Sequence, residues 1–137
     1  MKIALGFTAA VLILIASYLG YAVFVANPRV EQELREQPDG ERAQKVMLLT
    51  LPSGRTIPVN YLRDGAAVYA GADGRWWREL RGEGARVVLL VRGETLAGHA
   101  RAIEDDPRLR AAVFRRLRPT APEFTGTLVR VEVDPDR

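Results

Sequence analysis

Residues 46–70 read VMLLTLPSGRTIPVNYLRDGAAVYA, and the period of that stretch decides the fold. Residues 46–51 are an apolar run compatible with a β-strand, broken by Pro52-Ser53-Gly54, a tight hairpin turn. Residues 56–62 form a second strand. Pro58 restricts part of it to an edge or a bulge, because proline has no N–H for a ladder. Arg63-Asp64-Gly65 is another turn, with Asp-Gly favouring positive φ, and residues 66–70 continue as a third strand.

Working outward toward the carboxy terminus, residues 86–91 are strongly strand-like, Gly93-Glu94 makes a turn, and residues 95–103 pair back. Asp105-Asp106-Pro107 supplies an N-cap and a first-turn proline for a helix. Its apolar face is Leu109, Val113, Phe114 and Leu117, at helical spacing. Residues 124–133 are the last strand. Phe124, Gly126, Leu128, Arg130 and Glu132 share one face, and Thr125, Thr127, Val129, Val131 and Val133 share the other. About six strands and one or two short helices predict a mainly β domain, a small antiparallel barrel, since closure removes exposed edges.

Between the third and fourth strands, Gly71, Gly74, Gly82 and Gly84 surround the adjacent tryptophans Trp76 and Trp77. One explanation is that an indole plugs the barrel end. The other is that an indole packs against a flat ligand, as aromatic rings do. Neighbouring residues on a helix point about 100° apart, so each tryptophan can serve one of these roles.

Toward the amino terminus the pattern is different. Residues 28–45 read as a polar linker rich in Glu, Gln and Arg, with a turn at Pro38-Asp39-Gly40. Asn27 as N-cap and Pro28 at the first position open a short helix through Glu33 or Arg35. Its apolar positions are too few to bury a face, so it is expected in solvent or on a lipid surface. Before it, residues 3–26 carry no charge between Lys2 and Arg29. Some 24 helical residues at about 1.5 Å each reach roughly 36 Å, against a hydrocarbon core of about 30 Å. Only Thr8, Ser17, Tyr18 and Tyr21 interrupt the run, and the tyrosines lie toward its far end, where such rings favour headgroups.

The division that follows is a transmembrane α-helical anchor over residues 1–27, a linker over 28–45 and a barrel domain over 46–137. A cleaved secretory signal is the competing reading, with a small-x-small site at Gly20-Tyr21-Ala22, although such signals have apolar cores of only about 7–15 residues. Lys2 on one flank against Arg29, Arg35, Arg42 and Lys45 on the other predicts a single-pass membrane protein with a cytoplasmic domain. The lack of cysteine agrees with a reducing compartment.

Composition narrows the function. The formal charge of +3 comes from interspersed acids and bases, without the basic stripe and interleaved aromatics of a nucleic-acid binder. Anionic membrane lipid or a small anionic ligand suits it better. One histidine and no cysteine argue against a metal site with nitrogen or sulfur ligands. Ser17 and Ser53 are the only serines and have no triad partners. His99, beside Arg101 on one strand face, reads as a rim histidine, and Asp105-Asp106 as helix capping. Arg108, Arg110, Arg115, Arg116 and Arg118 crowd one helix, either as a solvated face or as a contact for lipid or a polyanionic coenzyme tail.

The order of the pieces carries a resemblance. Ser-Gly-Arg-Thr stands at 53–56, Pro-Val-Asn-Tyr-Leu-Arg-Asp-Gly at 58–65, and Trp-Trp-Arg-Glu-Leu-Arg at 76–81. Val-Val-Leu-Leu-Val-Arg-Gly-Glu-Thr-Leu follows at 87–96, then an alanine-rich strand. Over residues 47–133 the chain resembles the deazaflavin-dependent nitroreductase and quinone reductase family. These are split β-barrel proteins related to the flavin reductase and pyridoxamine-phosphate oxidase barrels. The resemblance implies an FMN-binding-like split barrel that binds reduced 8-hydroxy-5-deazaflavin (coenzyme F-420), with FMN as the alternative, and transfers hydride to a quinone, nitro compound or enone. It implies coenzyme phosphate at Ser53, Gly54, Arg55 and Thr56, whose backbone N–H groups, hydroxyls and guanidinium suit an anion. It puts Asn60, Tyr61 and the turn after Ala70 beside the ring. Trp76 looks like the family tryptophan near the deazaflavin, and Trp77 replaces a usual tyrosine. Pairing into a homodimer, with the site completed at the interface, is a further implication.

The chain departs from the family in three places. The hairpin is shorter and lacks a lysine between glycines. Residues 71–75 lack the usual Lys and Pro, with Arg75 the only replacement. Residues 117–123 are compressed and hold no tyrosine. Two functions from different classes are therefore carried forward. One is a membrane-anchored oxidoreductase acting on a lipophilic quinone or similar acceptor. The other is a non-catalytic, membrane-tethered barrel that binds a ligand or partner protein.

Overall fold

The computed structural model describes residues 12–13, 27–119 and 126–135. Its strands are β1 (Val46–Thr50), β2 (Thr56–Asp64), β3 (Ala67–Ala72), β4 (Ala85–Val91), β5 (Glu94–Ile103) and β6 (Thr127–Val133). They are joined by helices α1 (Asn27–Glu36) and α2 (Pro107–Leu117) and by two 3-10 helices, Arg42–Gln44 and Trp76–Leu80. The strands close antiparallel in the order β1-β2-β3-β6-β5-β4. Closure leaves no lengthwise sheet edge open to another chain. The expected mainly β barrel with short helices is therefore what these residues build.

The turns lie where the sequence puts them, with one shift. Between β4 and β5, Arg92 (φ 50°) and Gly93 (φ 81°) both have positive φ, which is the primed turn favoured between twisted strands, so the turn is centred one residue earlier than expected. Pro58 pairs with Leu48 of β1, before the pairing of β2 with β3 begins at Tyr61. Its missing N–H thus falls where β2 has one partner, which is the edge-like position expected of it. Residues 124 and 125 of the expected last strand lie outside the described residues.

Alternation fills the barrel. Met47, Leu49, Val59, Val68, Ala70, Val87, Leu89, Val91, Ala100, Val129 and Val131 form one buried cluster inside it. A second cluster lies outside the wall, where Val113 and Phe114 of α2 cover Ala67, Tyr69 and Leu128. Asp106 starts α2 by accepting the Leu109 N–H at 3.0 Å, the cap expected from the sequence.

A third cluster corrects the reading of the segment before the barrel. Leu48 points outward from β1, opposite to Met47 and Leu49, yet is only 2% exposed. Leu34 of α1 covers it at 3% exposure, together with Ala43, Val30, Val46 and Leu90. Leu48 and Leu90 are register partners across the β1–β4 seam. The helix expected in solvent or on lipid is thus packed against the barrel wall. One leucine is enough, because residues 46–51 are apolar on both faces and supply the rest of the contact. Among the described residues no helix is long and apolar enough to cross a membrane. The expected transmembrane run, residues 3–26, lies outside the described residues except for Leu12 and Ile13, which are helical and exposed.

Truncating Leu34→Ala should cost about 2–4 kcal/mol, as other buried leucines do, and Leu34→Met less than about 1.5 kcal/mol. Urea unfolding of the full chain in detergent measures both. A loss for Leu34→Ala no larger than the roughly 0.5 kcal/mol of an ordinary surface change would contradict the packing of α1.

Candidate functional site

The two ends of the barrel have different furniture. One end carries the β1–β2 hairpin, the connection from β3 to β4 with its 3-10 helix, and the passage from β5 through α2 to β6. The other carries α1, the 3-10 helix Arg42–Gln44 and the β2–β3 and β4–β5 turns. Ser53, Gly54, Arg55, Thr56, Trp76 and Trp77 belong to the first end. Asn60 and Tyr61 sit toward the second, since Asn60 is the register partner of Val46, where β1 begins. The residues expected beside the ring thus stand at two levels of the barrel, Trp76 and Trp77 near the hairpin expected to hold phosphate, and Asn60 and Tyr61 farther along β2.

At the first end the hairpin already holds an anion. The Ser53 N–H donates to Glu79 Oε1 at 3.0 Å, and Ser53 Oγ–H donates to Glu79 Oε2 at 3.1 Å. Gly54, at φ +88°, closes the turn, its N–H donating to the Leu51 carbonyl. The Thr50 and Thr56 hydroxyls are hydrogen-bonded to each other at 2.9 Å across the hairpin base. Arg55 is exposed and makes no ion pair among the described residues. The donor set thus fits a phosphate in kind, one N–H, one hydroxyl and a guanidinium, while the first two are engaged by a carboxylate of the same chain. Glu79 has no part in the expected site, and sequence offers no signal for it, because the contact joins residues 26 apart.

The tryptophans explain why Glu79 is there. Trp76 and Trp77 are half-buried, and both pack against the barrel's interior cluster, whose Leu80 is fully buried. The 3-10 helix therefore plugs this end of the barrel, and both indoles share in the plug. Trp77 is also covered by cations, with Arg81 at 4.6 Å and Arg78 at 5.9 Å from its ring centroid. Gly84 lets the chain leave this helix against β5. It has φ +76°, and a Cβ there would lie 2.0 Å from the Ala100 carbonyl oxygen. With the helix seated in this way, Glu79 faces the hairpin.

The glycine turn after Ala70 is also spoken for. Arg118, past the end of α2, donates to the Gly71 carbonyl at 2.8 Å and to Asp73 at 2.6 Å. Its side chain is 14% exposed. Arg110 donates to the Gly126 carbonyl, and both guanidiniums lie over the Phe114 ring, at 4.7 and 5.2 Å from its centroid. Arg108, Arg115 and Arg116 are the exposed arginines of this helix. At the other end, the Tyr61 hydroxyl donates to the Ala43 carbonyl at 3.0 Å. Burial pushes this phenol's pKa up, against the opposing pull of Arg92 and Arg63. Tyr61 thereby ties β2 to the segment that precedes β1. Exposed Arg86 has its pKa raised by its hydrogen bonds with Asp134. His99 is exposed and its Nε2–H donates to the Glu83 carbonyl.

If the turn is anion-receptive, removing its internal anion should open it. Glu79→Ala is expected to bind pyrophosphate at least about tenfold more tightly than the parent, the effect of losing one charged competitor. Since the Glu79 contact is exposed, stability should move by less than about 1 kcal/mol. Isothermal titration with a thermal melt checks both. Unchanged affinity in Glu79→Ala would mean that the turn accepts only its own carboxylate.

No family model matches the sequence, and no curated protein sequence is similar to it. Solved structures are similar in fold. An FAD-binding protein from Mesorhizobium loti matches with a TM-score of 0.50 and 17% identity, over 73% of this chain and 88% of that one. A Listeria innocua protein assigned provisionally as a pyridoxamine 5'-phosphate oxidase matches with a TM-score of 0.50 and 16% identity, over 77% of this chain and 95% of that one. At such identities the likeness is one of architecture, that of the small antiparallel barrel described above.

Proposed function

We propose that this barrel is an oxidoreductase that binds a flavin-type coenzyme, its phosphate held at the turn of residues 53–56. The observation that carries the reading is the carboxylate already held by the Ser53 N–H and hydroxyl, beside exposed Arg55. A phosphate would accept the same hydrogen bonds with more charge, and Arg55 would supply a guanidinium to it. The architecture supports the same reading, since one protein of this fold is an FAD-binding protein. Within flavin-type coenzymes, the order of motifs along residues 47–133 favours reduced coenzyme F-420, with FMN as the alternative.

Such a coenzyme supplies hydride when bound. The chain's own part is to fix the phosphate, exclude water with the tryptophan-bearing plug and keep an acceptor in register. A conventional acid–base pair is not required for that work. The apolar run of residues 3–26 would anchor the barrel at a membrane, with the domain on the cytoplasmic side, and raise the local concentration of a lipophilic quinone. Pairing of two copies would complete the acceptor side of the site.

A second reading is favoured by a specific observation. Both indoles are engaged by the core and Trp77 by arginines as well, so a flat ring has no ready platform. On that reading the barrel is a non-catalytic, membrane-tethered module that binds a ligand or partner protein. Titrating the full chain in detergent with reduced and oxidised coenzyme F-420, and separately with FMN, distinguishes the two through tryptophan fluorescence. Saturable quenching, weakened about tenfold by Arg55→Ala and followed by menaquinone reduction, is the expected outcome. Failure of every form to bind below about millimolar, only about 4 kcal/mol of binding energy, would leave the non-catalytic module.

A further inference from the structure

A cleft of about 660 Å³ runs along the outer wall of β5 and β6, lined by Gly82, Glu83, His99, Arg101, Ile103, Arg130 and Glu132. None of the residues expected to bind coenzyme is among them. The volume lies within the range of small-molecule sites, roughly 300–1,000 Å³. What sets this wall apart is its register. Arg101 of β5 is the direct cross-strand partner of Arg130 of β6, and His99 is that of Glu132. Directly opposed residues share a face of the sheet, and like charges so placed destabilise it unless something lies between them.

The surroundings compensate this charge only in part, through Glu132 beside Arg130 and Glu83 on the rim. Arg130 is set against the Tyr69 ring, its guanidinium 5.9 Å from the centroid. One terminal nitrogen reaches Glu132 at 3.4 Å. Its Nε is buried and, among the described residues, has no hydrogen-bond partner. A buried donor left unpaired carries its full desolvation cost, so native sites normally supply an acceptor. Arg101 is exposed, and its guanidinium makes no ion pair with another described residue. His99 spends one ring nitrogen on the Glu83 carbonyl. The buried Nε faces away from the cleft's solvent, so the donors open to a ligand are the Arg101 guanidinium and the terminal nitrogens of Arg130. Two such opposed forks fit an oxyanion that accepts several hydrogen bonds at once.

We infer that this cleft binds a phosphomonoester, with its phosphate between Arg101 and Arg130. A phosphomonoester carries about −1.5 to −2 charge at neutral pH, enough to compete with Glu132 for Arg130 while also engaging Arg101. The carboxylates of Glu83 and Glu132 on the rim add a second requirement. They repel a bare anion but accept hydrogen bonds, so the ligand is one whose phosphate is flanked by hydroxyl groups. Ile103 closes the cleft on the side of α2, where it joins that helix's apolar cluster, and limits the ligand's length there. The inference is independent of coenzyme binding at the hairpin.

The protein contains one histidine, and it lines this cleft. The His99 ring resonances are therefore an unambiguous local probe in NMR. Glycerol 3-phosphate added to the full chain in phosphatidylcholine bicelles should shift them saturably. The affinity should fall at least about tenfold in Arg101→Thr, the effect of losing one charged fork. Arg130→Lys, which keeps the charge but not the fork, should weaken it as well, and Arg55→Ala should leave the shift in place. Replacing part of the phosphatidylcholine with phosphatidic acid tests a lipid headgroup as the source. An Arg101-dependent shift with the lipid, with the soluble ester, or with both upholds the site and identifies its source. If neither moves the His99 signals, or if they move equally in Arg101→Thr, the inference is overturned.

Discussion

The barrel depends on its closing seam. β4 and β5 pair through seven register positions, whereas β1 and β4 pair through three, Leu48 with Leu90, Leu49 with Leu89 and Thr50 with Val88. Without that short ladder the sheet would open and the interior cluster would meet water. Three pairs are a weak fastening by themselves, and hydrogen bonds exchanged with water contribute little net stability. The fastening is reinforced from both sides. Leu49 and Leu89 meet inside the barrel, and outside it Leu34 is pressed onto the Leu48–Leu90 pair. Helix α1 is thus part of the closure, although it precedes the barrel in sequence.

At the opposite end from α1, separate side-chain contacts tie the connections together. Ser53 with Glu79 joins the β1–β2 hairpin to the β3–β4 connection. Arg81 with Glu104, at 3.3 Å, joins that connection to the end of β5. Arg118 with Asp73 and the Gly71 carbonyl joins the end of β3 to the segment after α2. The exposed pairs contribute little one at a time, and largely buried Arg118 contributes more. Together they hold this end in one arrangement, with the tryptophan plug beneath. An anion binding here would have to replace contacts the chain already makes, so its net affinity would be the difference between two sets of good hydrogen bonds. That difference would separate the proposed reductase from a barrel that has turned the same donors inward.

Much of the fold was legible because turns and strand alternation are local. Asp64-Gly65, Ser53-Gly54 and Gly93 mark reversals by their chemistry, and the alternation of residues 127–133 needs no partner to be read. The Arg92-Gly93 shift shows the limit, since positive φ at an arginine is imposed by strand twist rather than by the residue's own preference. Helix α1 was misread because its apolar face is only Val30 and Leu34, and the apolar surface that receives it lies in strands further along the chain. The candidate site was legible in part for the same reason. The hairpin and the tryptophans could be placed at one end from connection order. Separating Asn60 and Tyr61 from them required the register of β1 against β2.

Arginine is where sequence and structure differ most in meaning. All but two of the 20 Lys and Arg residues are arginine, the exceptions being Lys2 and Lys45. Read as charge, this suggests an anionic surface as partner. Read in place, much of it is packing, with Arg81 on Trp77, Arg110 and Arg118 on Phe114, and Arg130 beside Tyr69. A planar, weakly hydrated guanidinium can lie on a ring and still direct its N–H groups to a carbonyl, which a lysine ammonium cannot do as well. Net charge is therefore a poor guide to what this protein binds. An arginine points to a ligand only where its exposed donors lack a partner within the described chain and another guanidinium stands directly opposite, as Arg101 does facing Arg130.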